Sequence, residues 1–176
     1  MKKLQLLPVG NPDARLLEWL RHALADKFHV RAEIFSPALD PAFAVHVERQ
    51  QFHSSEILAA MQKHVSRDTW RLLGVTERDL YIPILTFVFG EAQMGGPCAV
   101  VSYHRLMQQF YGLPADMDVL ASRLLIESVH ELGHTLHLTH CQEYRCAMAP
   151  AHAVEYIDLK DSGFCEECLA KAVQMV

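Results

Sequence analysis

A chain of 176 residues is of single-domain size and long enough to bury a sizeable core. Hydrophobic residues at 51% against 21% charged exclude a disordered polymer, and a net charge of −5 withholds the basic footprint of a general nucleic-acid binder. No run approaches the roughly 20 apolar residues of a membrane span. Pro8 cuts the N-terminal apolar run too short for a secretory signal, so a cytoplasmic protein is expected.

Lys3–Val9 reads as a strand closed by Gly10-Asn11-Pro12. Residues 13–28 carry Leu16, Leu17, Trp19, Leu20 and Leu24 at helical spacing, and 29–35 alternate as a strand with Val30, Ala32 and Ile34. Pro37, Asp40 and Pro41 mark a loop. Ser54 or Ser55 is placed to cap a helix containing Ile57, Leu58, Met61 and Val65. Strand-like segments follow at 70–75 and 79–85, with a turn suggested by Gly74 and Glu77-Arg78. Segment 87–89, a turn at Met94-Gly95-Gly96-Pro97 and a strand at 98–103 come next. This alternation predicts an α/β layer with a mixed sheet. Asp116 or Asp118 then caps a long helix reaching Leu136 or His137, whose broad apolar circumference predicts a buried central element. Arg123 and Glu127, spaced i,i+4 on it, are expected to pair as a salt bridge.

The end of that helix carries His130-Glu131-Leu132-Gly133-His134. His130 and His134 lie one turn apart, so both rings can face one ion. In H-E-x-x-H the two His bind zinc and the Glu, here Glu131, is the general base for a metal-bound water. The pattern also arises by chance in helices. Here His140 supplies a third ligand if the chain turns back after the helix, and three protein ligands leave the open fourth position that a catalytic zinc needs.

Cys141, Cys146, Cys165 and Cys168 follow, with the C-x4-C and C-x2-C spacing of a tetrahedral thiolate zinc site. Two disulfides are the alternative, and they would need an oxidising compartment. Cys98 stands apart and reads as a small buried hydrophobe.

Together the run HELGHTLHLTHC, then Cys146-Ala147-Met148, then FCEECL at 164–169 resembles the archaemetzincins, a family in the metzincin clan of zinc metalloproteases. The resemblance covers about the last quarter of the chain. It implies a metzincin-like α/β fold: a mixed twisted sheet with helices, a central active-site helix and a small zinc-stapled C-terminal subdomain. It divides a single catalytic domain, 1–176, into an upper subdomain, 1–137, and a C-terminal subdomain, 138–176. It implies two zinc ions. His130, His134 and His140 would hold the catalytic one, with Glu131 as general base, and Cys141, Cys146, Cys165 and Cys168 the structural one. Met148 would be the Met-turn residue under the metal; read from the residues alone it is an ordinary core methionine.

One position departs from the family pattern. Metzincins carry Gly three residues after the second zinc His, where this chain has His137. Gly there lets the helix end in a left-handed conformation, which a His tolerates at about 1–2 kcal/mol. If the helix continued instead, His137 would be a rival ligand, but one about 10 Å along the axis from His130. His140 is therefore the preferred ligand, and His137 a turn residue that would modify the site.

The function expected is hydrolysis of peptide bonds through a zinc-bound water activated by Glu131, by a monomer acting on a peptide or protein substrate, with no nucleic acid or membrane involved. The alternative is a zinc-binding, metzincin-like protein with little or no proteolysis, acting as an interaction module. His137, Tyr144, Tyr156 and zinc itself are the candidates for stabilising an oxyanion, and the region 87–103 for pairing with an extended substrate.

Overall fold

The computed structural model describes residues 3–174. Among them the strands are β1 (Lys3–Val9), β2 (Ala32–Ile34), β3 (Val45–His46), β4 (Gln51–His53), β5 (Thr69–Thr76), β6 (Leu80–Tyr81), β7 (Gly90–Ala92) and β8 (Cys98–Ser102). The helices are α1 (Ala14–Phe28), α2 (Ser54–Met61), α3 (Met117–Thr135), α4 (Val154–Asp158) and α5 (Glu166–Val173).

The main sheet has the order β2-β1-β5-β8-β7, parallel except for β7, which runs antiparallel to β8. Its central strands send alternate side chains to opposite faces. Leu4, Leu6, Leu73, Val75, Ala99 and Val101 join one core, while Leu7, Val9, Leu72, Cys98 and Val100 join the other. Burial on both faces explains why β1 is apolar at Leu4 and Leu6 on one side and at Leu7 and Val9 on the other, with only Lys3 and Gln5 polar. Helices α1 and α3 cover the first face through Leu16, Leu20, Leu24, Leu120, Leu124 and Leu132, and α2 covers the second through Ile57, Leu58 and Met61. Cys98 lies in the second core, fully buried, with its thiol pushed up to about 11 by that burial.

Several expected elements shift. The strand foreseen over 29–35 is confined to Ala32–Ile34. Gly74 is no turn but an interior residue of β5, where a Cβ would come within 3.0 Å of Met61 Sδ; it lets α2 approach the sheet. The 79–85 strand shrinks to β6, which pairs with β4 in a small second sheet. Helix α2 stops at Met61, short of Val65. Ser54 and Ser55 do not cap it in the ordinary way, because both hydroxyls turn to the Glu91 carboxylate on β7.

Asp116, not Asp118, is the cap of α3, its Oδ1 accepting from the backbone N–H of Asp118 and Val119 at 3.0 Å each. Arg123 and Glu127 do not pair with each other. Arg123 makes a two-point bond to Asp158 at 2.7 Å, and Glu127 pairs with Lys160 at 3.2 Å. Both α3 side chains are buried beneath the C-terminal segment, which supplies the partners.

Candidate active site

Helix α3 ends as a left-handed turn demands. His137 takes φ +63, its N–H donates to the His134 carbonyl, and Leu138 N–H reaches back to Gly133 O at 3.1 Å. That pair of bonds reverses the chain. His140 thereby returns to His130 and His134, and one ring nitrogen of each of the three lies within 4.8 Å of the others. His137 stays outside the trio, its ring lying so close to Gly95 that a Cβ there would fall 2.0 Å from it.

The hydrogen bonds select a tautomer. His130 Nδ1 donates to Ala147 O and His134 Nδ1 to Leu138 O, both at 2.8 Å. Each Nε2 is then a bare lone pair, and the two face each other at 3.1 Å. Two acceptors at that distance repel unless a cation lies between them. Nitrogens at about 2.0–2.1 Å from a tetrahedral zinc would stand about 3.3 Å apart, so the imidazoles fit that ion. Burial, foremost, and nearby positive charge hold all three His below the usual imidazole range, in the neutral form a metal requires.

Glu131 is buried beside them, its carboxylate against Gly90 of β7, where a Cβ would sit 2.7 Å from Oε1. Burial, then the charges of Glu127 and Glu91, raise its carboxyl well above the ordinary range, with Lys160 opposing. A dication nearby would reverse that bias. These groups open on a cleft of about 550 Å³ walled by β7, the apolar segment preceding it, Pro150, Ala151 and His152.

The second cluster lies behind His140. One Sγ each of Cys141, Cys146, Cys165 and Cys168 lies within 4.8 Å of the others, and none is in a disulfide. Cys141 and Cys165 sulfurs are 3.8 Å apart, about the edge of a tetrahedron with 2.3 Å Zn–S bonds and far beyond the ~2.05 Å of a disulfide. Backbone N–H groups of Met148 and Cys165 point at Cys146 Sγ, and that of Glu143 at Cys141 Sγ. Such donors suit thiolates.

The family model of peptidase family M54 matches residues 38–174. This chain belongs to peptidase family M54. The archaemetzincin of Methanocaldococcus jannaschii is 41% identical to it over 165 residues, 93% of this chain and 89% of that protein. The crystal structure of the archaemetzincin from Archaeoglobus fulgidus, complexed with malonate, superposes with a TM-score of 0.83 at 33% identity, covering 96% of this chain and 99% of the other. A zinc-dependent peptidase from Methanocorpusculum labreanum gives 0.87 at 25% identity, with the same coverages. The archaemetzincin-like α/β fold is thereby established, and the M54 chain is a zinc metallopeptidase.

In this M54 peptidase Met148 is fully buried under α3, and a Cβ on Gly133 would fall 2.3 Å from its sulfur. Gly133 is thus the residue that lets the methionine approach α3 beneath the three histidines. Gly133→Ala is expected to lower stability by about 1–3 kcal/mol through overpacking, read as a drop in thermal midpoint; an unchanged midpoint would show that Met148 simply moves aside. Tyr144 and Tyr156 flank a separate hollow beside His140 and are both exposed. Sequence reading passed over Gly90, Gly133, His152, Lys160 and the placement of Glu127. Only Gly133, a helix-interior glycine inside the motif, carried a readable signal.

Proposed function

We propose that this chain hydrolyses peptide bonds with a catalytic zinc held by His130, His134 and His140, and that Cys141, Cys146, Cys165 and Cys168 hold a second, structural zinc. The observation that carries the reading is the pair of lone-pair nitrogens facing at 3.1 Å beside a buried Glu131 in an open cleft. When bound there, zinc supplies a water of lowered pKa and polarises a substrate carbonyl. Glu131 would be the residue that holds a proton at its carboxylate and delivers it to the departing amine. Ala147 O and Leu138 O fix His130 and His134 as ligands. Met148 is the apolar support beneath them. Strand β7, the edge of the main sheet and part of the cleft wall, is where an extended substrate would add a strand.

The described residues 138–174 would be the part of the C-terminal subdomain, 138–176, that the second zinc staples. Its own buried cluster of Leu138, Cys146, Met148, Cys168 and Ala172 is small beside the main core, to which it adds Ala147 and Ile157, so metal binding would supply part of its folding energy. Its fixed cations are all paired: Lys160 with Glu127 of α3, Arg145 with Asp161 and Lys171 with Glu167. That supports a structural staple over a nucleic-acid module. No helix among the described residues is long and apolar enough to cross a membrane.

Metal analysis of purified protein beside a mixed-peptide cleavage assay tests the proposal. Two zincs per chain, with cleavage lost on chelation and regained on adding zinc, is the expected result. Two zincs without cleavage of any peptide would favour a binding role. One zinc, retained by the cysteines alone, would sink the peptidase mechanism.

A further inference from the structure

Helix α3 buries a charged pair that the reaction above does not use. The Glu127 and Lys160 side chains are 4% and 1% exposed, the carboxylate Oε1 3.2 Å from the ammonium, and Glu127 also lines the cleft. Removing two charges from water is expensive, and an apolar pair of similar volume generally fills such a space at no loss of stability. What the apolar pair lacks is a donor. Lys160 Nζ reaches a third atom, the carbonyl oxygen of Ala147 at 3.4 Å, the same oxygen that accepts from His130 Nδ1 at 2.8 Å.

The backbone around this oxygen is tethered on all sides. Ala147 N–H donates to Gly163 O, Cys146 Sγ accepts from Met148 N–H, and Met148 O accepts from Cys141 N–H. Lys160 is itself held by its backbone N–H bond to the Ile157 carbonyl. The ammonium therefore has a fixed origin and a fixed counter-ion, and a second of its three donors points at the carbonyl that orients His130.

We propose that Lys160, with Glu127 as its counter-ion, is a positioning residue of this peptidase: it holds the Ala147 carbonyl where it receives His130 Nδ1–H, so that His130 presents Nε2 to the metal. This rests on the reading of His130, His134 and His140 as a metal site. Partners bonded directly to a metal-ligating imidazole typically matter about 10–100-fold in affinity or activity, and Lys160 acts through one such partner, the Ala147 carbonyl.

The test uses the doubly neutral variant Glu127→Gln/Lys160→Met, which avoids stranding one buried charge, beside the control Arg123→Met/Asp158→Asn, which cuts the neighbouring link without touching Ala147. Co2+ is the probe, since its visible bands separate imidazole-ligated from thiolate-ligated metal. Ring 15N shifts of His130 in the metal-free protein report the tautomer independently. The expected result is a loss of about 10–100-fold in Co2+ affinity at the imidazole site, an unchanged thiolate site, mixed His130 tautomers, and kcat reduced with KM little altered. Wild-type affinity and tautomer in the double variant would overturn the inference and leave a mere clamp between segments. An equal loss in the control would overturn it too, by showing a general packing effect. Wild-type protein that takes Co2+ only at the cysteines would overturn both this inference and the peptidase site on which it rests.

Discussion

Glu131→Ala protein is expected to cleave peptides about 10²–10⁴-fold more slowly than wild type while retaining the same metal content. The carboxylate is buried against Gly90 beside the imidazoles, so its loss would remove the proposed proton carrier without removing a ring nitrogen. Steady-state kinetics on a fluorogenic peptide, run with metal analysis of the same samples, reads both quantities. A fall in kcat with zinc unchanged places the defect in proton transfer. Parallel loss of zinc would mean that Glu131 chiefly supports the metal, and undiminished turnover would remove it from the mechanism. The glutamine variant offers a check on packing, since it keeps the shape of the side chain against β7 and lacks a titrating oxygen.

The Cys165→Ser/Cys168→Ser protein is expected to lose the thiolate metal and to bind zinc at the imidazole site at least about 10-fold more weakly. The two centres share a strap of backbone. Cys141 adjoins His140, and Ala147, whose carbonyl holds His130, sits between Cys146 and Met148. Structural zinc contributes on the order of 10–16 kcal/mol to folding in small zinc-bound peptides, and the slight core around Leu138, Met148 and Ala172 offers little to replace it. Chelator competition measures the affinity, and limited proteolysis should open the chain beyond residue 138 first. A double variant that keeps both metals at full occupancy would dissociate the two sites.

The parts of this site legible in the sequence are those whose geometry is local. His130 and His134 are one helical turn apart, so their convergence follows from α-helix pitch alone, and Glu131 rides beside them. The cysteine spacings work likewise, because each pair lies within a few residues. His137 in the left-handed region could be anticipated from the need to reverse the chain before His140. Strand β1 was legible to its ends, because Leu4, Leu6, Leu7 and Val9 supply apolar side chains for both faces and Gly10-Asn11-Pro12 closes the segment.

Elsewhere local pattern misled. The i,i+4 spacing of Arg123 and Glu127 suggested a mutual pair, yet each finds a partner more than 30 residues away. Strand β7 is three residues long with one neighbour, too short for an alternation to register, although it forms the cleft wall. Ser54 and Ser55 looked like helix caps, but their hydroxyls serve Glu91 from another strand.

The sequence by itself determined the chemistry: which side chains could ligate metal, which carboxylate could move a proton, and that a turn must follow the helix. Those depend on residue type and on separations shorter than a few turns. Tertiary structure alone decided the setting. It put Gly90 against Glu131, Met148 beneath Gly133, and Lys160 with Glu127 on the carbonyl that orients His130. Those contacts join segments 13 to 41 residues apart, and they exist only once burial of the shared core has chosen which faces meet.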